Sequence, residues 1–222
     1  PDDWGMRFHR ASLYLYRDAD TSGLRSMDAA ILNRQVPAAP LNTMAALFDG
    51  DFDAALRMLE LWPDVRTLPP RDNRRFAQPL WFAHIYALAG RTTEAKPYFD
   101  TAREQVEQRL VDQPQNPVLH LALGLVLAMA GGQNERAIEN IRAAIEHLDR
   151  LPPAVATEIR LDAAFAFANA GAIELAVEQL DQYLSNPGQW SIEGLQRHPD
   201  LAGMRTDPHF LELVKKHSRA AQ

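Results

Sequence analysis

The stretch Ala83-His84-Ile85-Tyr86-Ala87-Leu88-Ala89-Gly90-Arg91-Thr92-Thr93-Glu94-Ala95-Lys96-Pro97-Tyr98-Phe99-Asp100-Thr101-Ala102 reads as two apolar-faced helical segments meeting at one glycine. Working outward, Gly50, Gly131 and Gly171 stand 40, 41 and 40 residues apart along the series that includes Gly90, each between a small-residue-rich apolar segment and a second segment with spaced alanines. Five residues beyond Gly50, Gly90 and Gly171 are Ala55, Ala95 and Ala176; beyond Gly131, with its extra Gly132, the matching residue is Ala137. Leu59, Phe99, Ile141 and Leu180 follow one turn later, and then Trp62, Ala102, Ala144 and Tyr183. In the first segments of the last three units a small residue (Ala83, Gly124, Ala164) precedes a large one (Tyr86, Leu127, Phe167) by three positions. Small residues let two helix axes approach, and the large ones fill the space beside them. A fixed period of this size marks helical hairpins that must stack on one another to bury their apolar faces.

The pattern predicts helices over 4–16, from Thr21 or Ser22 as a cap to about Gln35, then 41–48, 52–62, 76–89, 93–111, 118–130, 135–148, 154–170 and 173–184. Each glycine takes a helix C′ position, where positive φ is easy for it alone. A connection rich in arginine and proline runs from Pro63 to Asn73.

The 222 residues carry 29 acidic and 23 basic side chains, a net charge of −6. No Lys/Arg block follows a predicted helix face, so the phosphate-directed electrostatic contribution to nucleic-acid binding is absent and nucleic acid is not expected as a partner. Arg66 and Arg71 in the proline-containing connection, with Arg74 and Arg75 just after it, read as a solvated loop. Zero cysteines exclude thiol catalysis, disulfides and thiolate metal sites, and leave the compartment open. Leu119 to Ala130, apolar but for His120, runs for only twelve positions before Gly131-Gly132, too short for a membrane span and suited to a buried core helix. The start at Pro1, without a signal-like segment, reads as a piece of a longer chain.

Asp18, Asp20, Ser22 and Gly23 match the opening of a calcium loop, but Ala29 stands where the bidentate glutamate belongs, so an ordinary capped turn is expected. Asp49, Asp51 and Asp53 read as helix-start acids. No two histidines have the i, i+4 spacing of a zinc helix, and no nucleophile elbow, phosphate loop or dinucleotide fingerprint occurs. Neither catalysis, metal nor cofactor has a visible seat. His84, in an apolar context, reads as a satisfied polar core residue or, less simply, as a ligand or pH sensor.

The small–large rhythm with glycine at the interhelix turn resembles the tetratricopeptide-repeat family over about residues 38 to 184. It departs from that family in its longer period, in Trp62 and Tyr183 at a small-residue position, and in irregular prolines; HEAT-like solenoids share the longer period. The resemblance implies an all-α, right-handed superhelical solenoid, with an N-terminal helical pair (1–37), repeats (38–187) and C-terminal capping helices (188–222) in one continuous domain. The tail from Gln189-Trp190-Ser191 through Leu195 to Val214 looks like the closing segment of bacterial tetratricopeptide domains attached to winged-helix regulators, cyclases and kinases. In it, Ser191 and Asp207 should cap helices, Pro208 should occupy N1, and Phe210, Leu211 and Val214 should close the array.

The family's concave groove, transferred here, is lined by Leu80, His84 and Leu88, by Leu121, Leu125 and Met129, and by Leu161, Phe165 and Asn169. Asn169 apart, it lacks the Lys, Arg and Asn set of carboxylate-clamp members, so that the resemblance does not imply binding of a chaperone's C-terminal tail. The resemblance thus implies a non-catalytic interaction or sensing module of a bacterial signalling or regulatory protein, binding an apolar or helical segment of a protein or peptide, another copy of itself included. A small-molecule sensor and a self-association scaffold are the alternatives. The same residues also admit a plain core reading, or one in which another part of the chain or another subunit covers them.

Overall fold

A computed structural model describes residues 4–27, 39–60, 78–146, 148–186 and 188–218. The described residues are all-α, with no strand among them: α1 (Trp4–Asp18), α2 (Ser22–Arg25), α3 (Ala39–Phe48), α4 (Phe52–Glu60), α5 (Gln78–Leu88), α6 (Thr92–Asp112), α7 (Pro117–Ala130), α8 (Asn134–Ile145), α9 (Pro153–Asn169), α10 (Ile173–Leu184), α11 (Ile192–Gln196) and α12 (Pro208–His217). Short 3-10 segments occupy Leu148–Arg150 and Pro199–Met204. The arginine-rich connection, Trp62 and the expected continuation of the second helix to Gln35 lie outside the described residues.

Four hairpins, α3–α4, α5–α6, α7–α8 and α9–α10, pack each on the next. Three of their turns are built identically. Gly50, Gly90 and Gly171 have φ of 72°, 72° and 75°. In each, the glycine N–H bonds the carbonyl three residues back and the following N–H bonds the one five back, as in Asp51 to Ala46 at 2.9 Å, Arg91 to Tyr86 at 2.8 Å and Ala172 to Phe167 at 2.9 Å. This is the Schellman closure, which satisfies carbonyls orphaned at a helix end. The chain then re-enters a helix at once, with the N–H of Ala55, Ala95 and Ala176 bonding the carbonyl four residues back at 3.0 Å in each case. Ala137 does the same to Gln133 at 2.9 Å, after a turn in which both Gly131 and Gly132 have positive φ.

The alanine register places the hairpin seams. Ala55, Ala95, Ala137 and Ala176 are all buried, as are Leu59, Phe99, Ile141 and Leu180 one turn on. Gly124 on α7 shows why that position is small: a Cβ there would stand 2.5 Å from Ile141 Cγ1 and 3.1 Å from the Ala137 carbonyl. The apolar segment before Gly131 is a buried core helix, α7, and no described helix is long and apolar enough to cross a membrane.

The two ends of the chain meet. α11 packs on α1, α12 on α10, and the Pro199–Met204 segment on α9. At the end of α1 the carbonyl of Tyr16 accepts from Ser191 N at 3.2 Å, that of Arg17 from Ser191 Oγ, and that of Asp18 from Arg197 Nη1 at 3.3 Å. The tail thereby satisfies the carbonyls that a helix terminus leaves open. Gly194 is required for this approach, because a Cβ would collide with the Tyr16 carbonyl. Ala19, at the C′ position of α1, is the one non-glycine with positive φ among the described residues, at 53°.

Several local expectations are met and two are corrected. Ser191 accepts from Gly194 N and Asp207 from His209 N, with Pro208 at N1. Leu211, expected to close the end of the array, is instead exposed, and Leu213 is buried with Phe210; residues 210, 213 and 214 share a helix face that residue 211 does not. Neither Thr21 nor Ser22 caps α2 through its side chain. Asp20 does so, accepting from Ser22 N at 2.9 Å, while Thr21 Oγ1 donates to Asp49 at 2.7 Å.

Candidate functional site

The first helices of three hairpins, α5, α7 and α9, present the residues expected to line a groove, and the structure buries them in part in the hairpin cores and in part beneath the chain's own C-terminal segment. Leu80, Leu121 and Leu161 are 3, 2 and 5% exposed. An open apolar lane through these leucines is therefore corrected: Leu80 packs with Ala83, Ala95 and Phe99, and Leu121 and Leu161 share the main core with Leu195, Leu201 and Met204 of the tail. Leu125 and Phe165 are partly buried against that core, Met129 against the Leu80 cluster, and Leu88 against the cluster of Ala46, Ala55 and Leu59.

The polar members of the set converge on one tail residue. His84 Nε2 lies 2.7 Å from Asp200 Oδ1, and Asn169 Nδ2 donates to the same oxygen at 3.2 Å while also donating to the Phe165 carbonyl at 2.9 Å. His84 is held in turn by Trp81, its ring stacked at 6.1 Å one turn earlier on α5. His84 is the satisfied polar residue that its apolar context suggested.

Local chain geometry aims Asp200 at these donors. Leu201 and Met204 anchor the 3-10 segment in the core. Arg205 Nη2 donates to the carbonyls of Arg197 at 2.9 Å and His198 at 3.1 Å, closing the loop on itself. His198 Nδ1 accepts the Asp200 N–H at 3.3 Å and caps the segment. The His198 ring lies in an aromatic cage: stacked on Phe165 at 4.2 Å, edge-on to Phe48 and to Trp190 at 5.3 Å each. Trp190 also stacks on Phe48 at 5.5 Å and meets Tyr16 edge-on at 4.9 Å.

The electrostatics follow from burial and pairing. Burial pushes the His198 imidazole down to about 4, with His84 and Arg205 adding to the effect and Asp200 opposing it. Burial acts on Asp200 in the opposite sense, but the attraction and hydrogen bond of His84, with His198 and Asn169, hold its carboxyl at about 2. The site is a buried, ionised carboxylate held by two donors beside a neutral ring stacked on another ring.

Elsewhere, Asp181 is gripped by Lys216 at 2.8 Å and His217 at 2.6 Å, which docks α12 on α10. Asp51 accepts from Ala54 N at 3.0 Å and pairs with Arg25 at 2.9 Å, the helix-start role expected of it. His120 bonds Asn140 and the Pro114 carbonyl. Among the described residues no group of three or more His, Cys, Asp or Glu is arranged to hold a metal ion. A cleft of about 660 Å³ opens between α1 and the tail, lined by Leu13, Tyr14, Leu184, Trp190 and Ile192 with Arg10 and Lys216 among its polar walls.

Sequence reasoning named His84, Phe165 and Asn169 but not their occupant. His198 and Asp200 lie within the segment from Leu195 to Val214 that reads as a capping tail. The available signal is the triplet His198-Pro199-Asp200, a ring and a carboxylate two residues apart around a proline, between the apolar residues Leu195 and Leu201. No protein-family model, no curated protein and no solved structure matches the chain.

Proposed function

We propose that the chain is a tetratricopeptide-like solenoid serving as a non-catalytic protein-interaction module of a bacterial signalling or regulatory protein. The face of α5, α7 and α9 is its recognition surface. The observation that carries this reading is that this face already holds a polypeptide segment through side-chain-specific contacts: His84 and Asn169 on the Asp200 carboxylate and Phe165 on the His198 ring. A first-helix face that recognises a short segment is the binding geometry that the family resemblance implies. The recurring glycine–alanine register and the hairpin stacking support the repeat assignment; the resemblance of the tail supports the signalling context.

The test is site-specific photo-crosslinking in cells that make the full-length protein, with the probe replacing Met129, a partly buried member of this face. A discrete covalent partner, lost when Phe165→Ala is introduced in a folded chain, is the expected result. Adducts equally abundant from a probe at Val111, an exposed position on α6, would sink the proposal.

A second reading, small-molecule sensing, is favoured by one feature, the cleft between α1 and the tail. Its volume falls in the range of ligand pockets, and polar side chains such as Arg10, Arg17, Gln189, Glu193 and Lys216 line it alongside Leu13, Tyr14, Trp190 and Ile192. Trp190 lines both this cleft and the His198 cage, so occupancy would register as a change in its fluorescence.

A further inference from the structure

The contacts beneath residues 198–200 have the form of a ligand seat. One carboxylate oxygen receives two donors from helices that belong to different hairpins, and a planar ring two residues earlier lies flat on Phe165. Neither donor is needed to close its own helix. His84 sits within α5, and Asn169 is already bonded to the Phe165 carbonyl by the same amide nitrogen. The specificity of the arrangement is directed outward from the hairpins, at whatever segment lies across them.

We infer that His84, Asn169 and Phe165 form a slot for a peptide carrying a planar ring two residues before a carboxylate, and that His198 and Asp200 fill it as an intramolecular ligand which an external peptide must displace. The inference rests on the reading of this face as a recognition surface, and adds the chemistry of its ligand and its regulation. The tail is covalently tethered and therefore present at a high effective concentration. It is further secured by Leu195, Leu201 and Met204 in the core and by the contacts of Ser191 and Arg197 with the end of α1. The closed arrangement dominates, and apparent affinity for an external peptide is reduced by the small fraction of chains in which the slot is open. Weakening the tail's own hold should therefore strengthen binding in trans, the reverse of what a purely structural contact would do.

The experiment uses the full 222-residue chain and a fluorescein-labelled peptide of residues 195–205, followed by fluorescence anisotropy. Asp200→Ala is expected to bind the peptide at least tenfold more tightly than the parent chain. Adding His84→Ala, or replacing the peptide's aspartate by asparagine, should abolish that gain. Equal binding by Asp200→Ala and the parent chain, with the variant folded by circular dichroism, overturns the inference. If Asp200→Ala does not fold, the isosteric Asp200→Asn is compared in the same way, and failure of both to fold makes the segment an inseparable part of the core and also overturns it. A cellular partner crosslinked at Met129 with no gain in peptide binding would remove this inference and leave the module reading in place; a gain in peptide binding with no cellular partner would do the reverse.

Discussion

His84 Nε2 lies 2.7 Å from Asp200 Oδ1, a hydrogen bond between residues 116 positions apart whose side chains are 12 and 6% exposed. It joins the middle of the helical array to the tail that crosses it. Removing the acceptor leaves buried donors unsatisfied, which costs about 1–3 kcal/mol. Asp200→Ala should lower stability by about that amount in urea titrations, because His84 and Asn169 both lose their acceptor. A loss under about 1 kcal/mol would mean that the pair holds the tail only weakly.

The pH dependence of stability should come largely from the same cluster. His198 sits near 4 in the folded chain against an ordinary value of 6.5, so between those values the unfolded chain binds more protons. Stability is therefore complete above pH 6.5 and falls as the pH drops toward 4, by about 3 kcal/mol for this group. Asp200, held near 2 against 3.8, adds a further loss of about 2 kcal/mol as the pH falls from 3.8 toward 2. The groups facing His198 are His84 from α5 and Asp200 and Arg205 from its own segment. Urea midpoints at pH 7, 5.5 and 4.5 measure the first loss, and His198→Phe should flatten that part of the profile while keeping a ring on Phe165. A slope unchanged in His198→Phe would assign the titration to another group.

The seam alanines leave no room for a larger side chain. Ala95 and Ala137 are 1 and 0% exposed and lie in different hairpins. Ala95→Leu and Ala137→Leu should each destabilise the fold by about 1–3 kcal/mol through overpacking. Thermal midpoints that do not move in either variant would place the helix contacts elsewhere.

Two glycines should fail on substitution for different reasons. At Gly90 the φ is 72° and a Cβ would meet nothing within 4 Å, so Gly90→Ala costs about 1–2 kcal/mol from backbone conformation alone. At Gly124 no positive φ occurs, and the cost of Gly124→Ala comes from Ile141 Cγ1, 2.5 Å from the added carbon. Trimming Ile141 to alanine in each background separates the two. It should relieve part of the Gly124→Ala penalty and none of the Gly90→Ala penalty, as read from a double-mutant cycle in urea.

Leu125→Ser with Phe165→Ser separates a surface role from a core one. Large apolar residues recurring on three first helices read as an exposed lane. Both side chains in fact pack against the main core, and Phe165 carries the His198 ring, so the double substitution should destabilise the chain as well as disturb any recognition face. Helical periodicity identifies which residues share a face, but a face covered by a distant segment has the same periodicity as one left open to a partner.

The sequence by itself determined the hairpins. Gly50, Gly90 and Gly171 mark their turns because positive φ is cheap for glycine alone, and Ala55, Ala95, Ala137 and Ala176 mark their seams because only small side chains allow close helix contact. These are local rules, acting within about ten residues, and a period near 40 repeats them visibly. Tertiary structure alone decided that the tail folds back across α5 and α9, that Asp200 is the acceptor of His84 and Asn169, and that Ser191 and Arg197 close the end of α1. Those pairings join residues 31 to 179 positions apart. Their partners are chosen by where the stacked hairpins bring the chain ends, and by the need of a buried carboxylate for donors, neither of which leaves a periodic trace along the chain.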